Sequence, residues 1–140
     1  MRARTLGWML VGAMAFGAQA RMPDWLAVPG AAELQVHAGS LDQHHGLVTA
    51  RVRLAGSTSL MRGAAFEPVG RLGAHHRRVV SLQFDCARRT VRLLDTQTFD
   101  ARDRPLAMDA TPGPVVPLPG DESAGWLYDA VCELARARAQ

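Results

Sequence analysis

The chain has 140 residues, 16 of them basic and 13 acidic, with a formal net charge of +3. Its length fits one domain of moderate size. All 16 basic residues are arginine and lysine is absent, so a biased composition accounts for the arginine content. Binding to nucleic acid would require these charges to cluster on one face, and the sequence shows no such cluster.

The first 20 residues have the pattern of a secretory signal peptide. Arg2 and Arg4 precede an apolar run over residues 6–16, and the small-residue cleavage site Ala18-Gln19-Ala20 follows. The run is too short to span a bilayer, which takes about 20 residues. We therefore predict a signal peptide over residues 1–20 and a mature, exported domain over residues 21–140, with no stable membrane insertion after cleavage.

The predicted signal peptide indicates a periplasmic location, with the cell surface as an alternative. No cysteine follows the apolar run, so the pattern of a lipoprotein is missing. Without Arg2 and Arg4 the basic count falls to 14 against 13 acidic residues, and the mature domain is expected to be nearly neutral.

Alternating apolar and polar residues predict the first strands. A short apolar segment covers residues 25–28, and residues 33–38 and 48–54 alternate as half-buried strands do. The stretch "GSLDQHHG" between them is predicted to be a turn and loop. Residues 55–76 hold four glycines and no sustained period, which indicates a long connection.

The second half of the chain predicts a hairpin, an edge and a helix. Residues 78–86 and 90–99 alternate on either side of "CARR", and a short strand is expected around residues 106–108. Four prolines in "TPGPVVPLPGD" favour an extended edge segment. After a cap at Asp121 or Ser123, the period changes to that of a helix, with one apolar stripe: Leu127, Ala130, Val131 and Leu134.

The two cysteines, Cys86 and Cys132, stand at the end of a predicted strand and on the predicted helix. An even count in an exported chain favours a disulfide, worth about 4 kcal/mol for a loop of this length. A reactive or metal-binding thiol pair is the alternative, although there is no CxxC motif. The predicted fold is α+β: a meander-like antiparallel sheet with one C-terminal helix packed on it and stapled by the disulfide.

Few residues suggest chemistry. The pairs His44-His45 and His75-His76, with Asp42, are candidates for a metal or haem site, but histidines in solvated loops are the commoner case. Hydrolase motifs such as G-x-S-x-G are missing, and Asp85 fits a turn better than a catalytic pair. We therefore predict no enzymatic activity and no cofactor. Trp126 and Tyr128 are expected to pack partly in the core, with an exposed contact for a partner as the alternative.

The order of these features resembles the surface-adhesin protein E-like domain family of proteobacteria. The matching segments lie within residues 24–135: "DWLAV", "LQVHAGSLDQHHG", "FDCARRTVRLL", "TFDARDRPL" and "PVVPLPGDESAGWLYDAVCE". The resemblance implies a curved antiparallel sheet of about six strands and pairing of the two cysteines. By analogy with the family's named member, it also implies binding of host extracellular-matrix and serum proteins. His37 stands where the family usually has an aspartate, while Ser40 is kept.

Three functions follow as hypotheses. The first is a non-enzymatic binding module of the cell envelope that holds a protein partner at an exposed sheet face or edge strand. The second is a periplasmic structural or accessory protein without an external ligand. The third is a weak metal or haem binder that uses the histidine pairs. An exposed apolar patch would favour the first hypothesis, and convergent histidines would favour the third.

Overall fold

The computed structural model describes residues 24–55 and 77–139. The strands are β1 (Trp25–Val28), β2 (Ala31–His37), β3 (Asp42–His44), β4 (Leu47–Ala55), β5 (Arg77–Asp85), β6 (Thr90–Phe99), β7 (Pro105–Asp109) and β8 (Val116–Pro117). One α-helix, α1 (Glu122–Arg138), follows them, and a 3-10 helix spans Ala38–Ser40. Within these ranges no helix has the length and apolar character needed to cross a membrane. The predicted signal peptide and the pair His75-His76 lie outside the described residues.

The strands form one antiparallel sheet in the order β1-β2-β4-β5-β6-β7, with β3 paired to β4 and β8 paired to β6. The α+β fold and the meander are confirmed, and the six strands of the main path match the expected number. The hairpin of β5 and β6 is also as predicted: the carboxylate of Asp85 accepts hydrogen bonds from the amides of Ala87 and Arg88 in its turn. The proline-rich segment supplies β8 at the outer side of β6.

One local prediction was wrong. The segment predicted to be a turn and loop contains β3, whose residues pair with the start of β4. His45 and Gly46 both have positive φ angles, which closes a two-residue hairpin between the strands. The side chains of β3 are all exposed, so no apolar alternation marks it in the sequence.

The core lies between α1 and one face of the sheet. Alternation along β2, β4 and β5 points every second side chain to this face. The largest fully buried side chains are Phe84, Leu34, Leu82, Leu127, Val36, Val52, Val91 and Val131. Each stabilises the fold by roughly 1.5–3 kcal/mol on burial.

Two kinds of contact hold α1 in place. At its start, the side chain of Asp121 accepts a hydrogen bond from the amide of Ala124, so Asp121 is the helix cap. In its middle, Cys132 forms a disulfide with Cys86, with 5.9 Å between the Cα atoms. The hydroxyl of Tyr128 donates to the carbonyl of Cys86 as well. The turn after β5 is therefore bonded twice to the helix, and the predicted disulfide is confirmed.

Replacing Cys86 or Cys132 by serine should lower the free energy of unfolding by about 2–4 kcal/mol, because the unfolded chain loses a covalent loop closure. Urea unfolding followed by circular dichroism measures the change. The wild-type protein with a phosphine reductant is the matched control, and its midpoint should approach that of the serine variants. Uptake of two alkyl groups by the denatured, unreduced wild-type protein would contradict the disulfide.

Candidate binding surfaces

The face of the sheet opposite α1 is the polar face, defined by a row of residues that are neighbours across five strands. The row runs over β2, β4, β5, β6 and β7 and consists of Gln35, Arg53, Val79, Gln97 and Met108. A bulge in β6 opposite Ser81 and Leu82 makes this row possible. It inverts the alternation of side chains along β6: Val91 and Leu93 face the core before the bulge, whereas Gln97 faces the polar side after it.

Side chains of the polar face bond to one another. The guanidinium of Arg53 donates to the amide oxygen of Gln35 and lies 4.5 Å from the ring centroid of Trp25. The ring of Trp25 meets His37 edge-on at 4.9 Å. Beside this cluster, Arg51 donates to Gln97 over 3.1 Å. On the polar face, hydrogen bonds to glutamine side chains therefore orient Arg51 and Arg53, and Arg53 in turn holds the ring of Trp25.

Ser40 has a structural role. Its hydroxyl donates to the carbonyl of His37 over 2.7 Å and accepts from the amide of Arg51 over 3.0 Å. These bonds join the 3-10 helix to β4. Ser40 therefore stabilises a chain reversal, and the ring of His37 belongs to the aromatic cluster.

The β7 edge, defined by Leu106, Met108 and Val115, carries three of the four exposed large apolar side chains among the residues that the structure describes. These side chains are 53%, 64% and 61% exposed. Because β7 and the segment before β8 both lie along β6, the three residues share one edge of the sheet. The short predicted strand at residues 106–108 is confirmed. The exposure of the β7 side chains was not predicted, because the segment between the flanking prolines is too short to show an alternating pattern of apolar and polar residues.

The turn that leads into β7 is held by Asp100. Its carboxylate accepts hydrogen bonds from the amides of Arg102 and Arg104 and from the side chain of Arg104. These hydrogen bonds lower the pKa of Asp100, because they stabilise its charged form. The bond from the backbone amide of Arg104 has the largest effect. An exposed ion pair between Arg77 and Asp103, 3.0 Å long, closes the same turn. Local bonds therefore position β7 although its side chains bury little area.

The histidine candidates do not converge in the part of the chain that the structure describes. His44 and His45 are exposed at the β3–β4 turn, with their ring centroids 4.1 Å apart. Asp42 begins the same short strand. Residues 24–55 and 77–139 contain no group of three or more histidine, cysteine, aspartate or glutamate side chains arranged to hold a metal. His75 and His76 lie outside these ranges.

The two aromatic candidates on α1 have different environments. Tyr128 is buried, makes its hydrogen bond to Cys86, and has the guanidinium of Arg89 at 4.6 Å from its ring. Trp126 is 38% exposed and packs against Gly30, where a Cβ atom would approach the indole to 3.0 Å. Both aromatic residues therefore serve packing first, and only Trp126 also presents a surface to solvent.

Comparisons with known proteins identify the fold. No family model and no curated protein matches the sequence. Among solved structures, crystal form II of Haemophilus influenzae protein E matches with a TM-score of 0.55 and 10% identity, over 80% of this chain and 89% of that chain. A second structure of that protein gives a TM-score of 0.54 and 11% identity, over 80% and 86%. The chain has a protein E-like fold. At this identity the likeness shows the fold alone.

Replacing Gly30 by alanine should destabilise the protein by more than the same change at Gly46. Both glycines have positive φ angles, which cost an alanine about 1–2 kcal/mol, but only Gly30 also meets the Trp126 ring. Gly125→Ala, in the helix with open space around it, should be stabilising by about 0.5–1 kcal/mol. Urea unfolding of the three variants compares them. Equal losses at Gly30 and Gly46 would show that the Trp126 ring does not restrict this position.

Proposed function

We propose that this chain is an exported, non-enzymatic protein of the cell envelope that binds a protein partner through its β7 edge. The single observation that carries the proposal is the exposure of Leu106 and Met108 on a strand at the end of the sheet. Contiguous apolar surface in solvent, as opposed to single scattered apolar residues, marks sites of protein–protein contact. Leu106 and Met108 are neighbours on one face of β7. A strand at the end of a sheet also offers backbone hydrogen bonds to an added segment.

The protein E-like fold and the predicted signal peptide support the setting. Export through residues 1–20 would deliver the domain of residues 21–140 to the periplasm or the cell surface. The resemblance to the surface-adhesin protein E-like family makes extracellular-matrix and serum proteins the first partners to test. The proposal includes no cofactor, no catalytic residue and no nucleic acid.

Export is tested with the full chain expressed in a Gram-negative host. The proposal expects a mature protein whose intact mass begins at Arg21, because cleavage follows the small-residue site. Protease shaving of intact cells, with a periplasmic marker protein as control, then separates surface display from periplasmic retention. Recovery of uncleaved protein in the cytoplasm would contradict export, and protection until the outer membrane is opened would argue against adhesion.

Binding is tested with the mature domain and immobilised extracellular-matrix and serum proteins. Met108→Lys should weaken binding about tenfold or more, since it places a charge in the middle of the apolar contact. Ala87→Lys is the matched control: it adds the same charge in the exposed turn at the opposite end of β6. Thermal unfolding should be alike for both variants. Equal weakening by both would assign the effect to net charge, and no weakening by either would exclude the β7 edge.

A further inference from the structure

A second edge of the sheet combines a terminal strand, β1, with an apolar groove. β1 stands at the other end of the strand order and, among the described elements, pairs with β2 alone. Between β1 and α1 lies a cavity of about 430 Å³. The strand contributes Leu26 and Val28, and α1 contributes Ala130, Leu134 and Ala137. The three helix residues are spaced i, i+4 and i+7, so they form one stripe along the groove.

The pairing of β1 shows which backbone groups point outward. The amide of Ala38 donates to the carbonyl of Asp24 over 2.9 Å. In an antiparallel pair, residues alternate between those that bond to the neighbouring strand and those that turn away from it. The register is regular from Trp25 to Ala27 and shifts between Ala27 and Val28. Asp24 and Leu26 therefore face β2, and the backbone N–H groups of Trp25 and Ala27 and the C=O group of Trp25 face the outer edge. Two residues of β1 thus offer donors and acceptors to an extended segment beside the groove.

The one charged residue in the lining of the groove is acidic. Glu133 belongs to its lining, and Asp129 lies one helical turn before Glu133 on the exposed side of α1. Neither carboxylate is in an ion pair with any residue of the described ranges. A ligand with a basic side chain at this position would supply the missing counter-charge.

We propose that the groove between β1 and α1 binds an extended peptide segment of a partner protein. The segment adds as a strand to β1, and its hydrogen bonds go to Trp25 and Ala27. Alternate apolar side chains enter the groove against Leu26 and Leu134, and a flanking lysine or arginine meets Glu133. This site lies at the opposite end of the strand order from the β7 edge. Peptide binding at β1 can therefore be tested separately from partner binding at the β7 edge.

The test uses the mature domain and a fluorescein-labelled peptide of alternating valine and threonine with two lysines at each end. Fluorescence anisotropy should show binding that Ala27→Pro weakens about tenfold, since proline removes the outward N–H. The bonds of β1 to β2 remain, because the amide of Ala27 does not take part in them. Ala27→Thr, which keeps the N–H, should bind the peptide more tightly than Ala27→Pro does.

Charge reversal provides a second, independent pair of variants. Glu133→Arg should weaken the lysine-ended peptide about fivefold or more and strengthen a version that ends in glutamates. Glu33→Arg makes the same change in net charge on the polar face and should leave both affinities unchanged. This pair decides the proposal by itself if Ala27→Pro fails to fold.

Three results would overturn the proposal. The first is no binding of the lysine-ended peptide by the wild-type domain. The second is equal affinity for the Ala27→Pro and Ala27→Thr domains when both fold. The third is a dimer in sedimentation that Ala27→Pro dissociates, because the edge of β1 would then be occupied by a second copy of the chain.

Discussion

The link between the β5–β6 turn and α1 is the constraint on which the rest of the structure depends. Cys86 is bonded to Cys132 through sulfur, and its carbonyl accepts from Tyr128 one helical turn earlier. Two bonds to one residue determine both the position and the rotation of α1 over the sheet. The apolar stripe of the helix therefore meets Phe84 and the core residues of β2 and β4. A domain of this size, with a modest core, depends strongly on such a constraint.

The position of α1 also determines which surfaces of the sheet remain available for binding. The helix contacts β1, β2 and β4, so the groove at β1 has an apolar wall, whereas the β7 edge has exposed side chains. The two edges consequently suit different ligands. The β7 edge offers apolar side chains that project into solvent, and the β1 edge offers a groove with a carboxylate, Glu133, at its side. The two proposed contacts thus lie at opposite ends of the strand order.

Features that depend on local periodicity could be predicted from the sequence. The alternation in β4 and β5 and the helical stripe of α1 are of this kind. The disulfide was predicted on another ground, the even number of cysteines in a chain predicted to be exported. Features that depend on distant partners could not. The bulge near Leu94 is visible only against β5, and the exposure of Met108 follows from the end of the strand order. The groove at β1 needs the rotation of α1, which no spacing in the sequence encodes.

The most direct test of this account is residue-level hydrogen exchange of the mature domain with the disulfide intact and with it reduced. If the link to Cys86 positions α1, reduction should lower protection throughout α1 and β1, while the central ladder of β4, β5 and β6 keeps most of its protection. Unchanged protection of α1 after reduction would contradict the account. So would a uniform loss over helix and central strands, because the helix would then have no separate dependence on the disulfide.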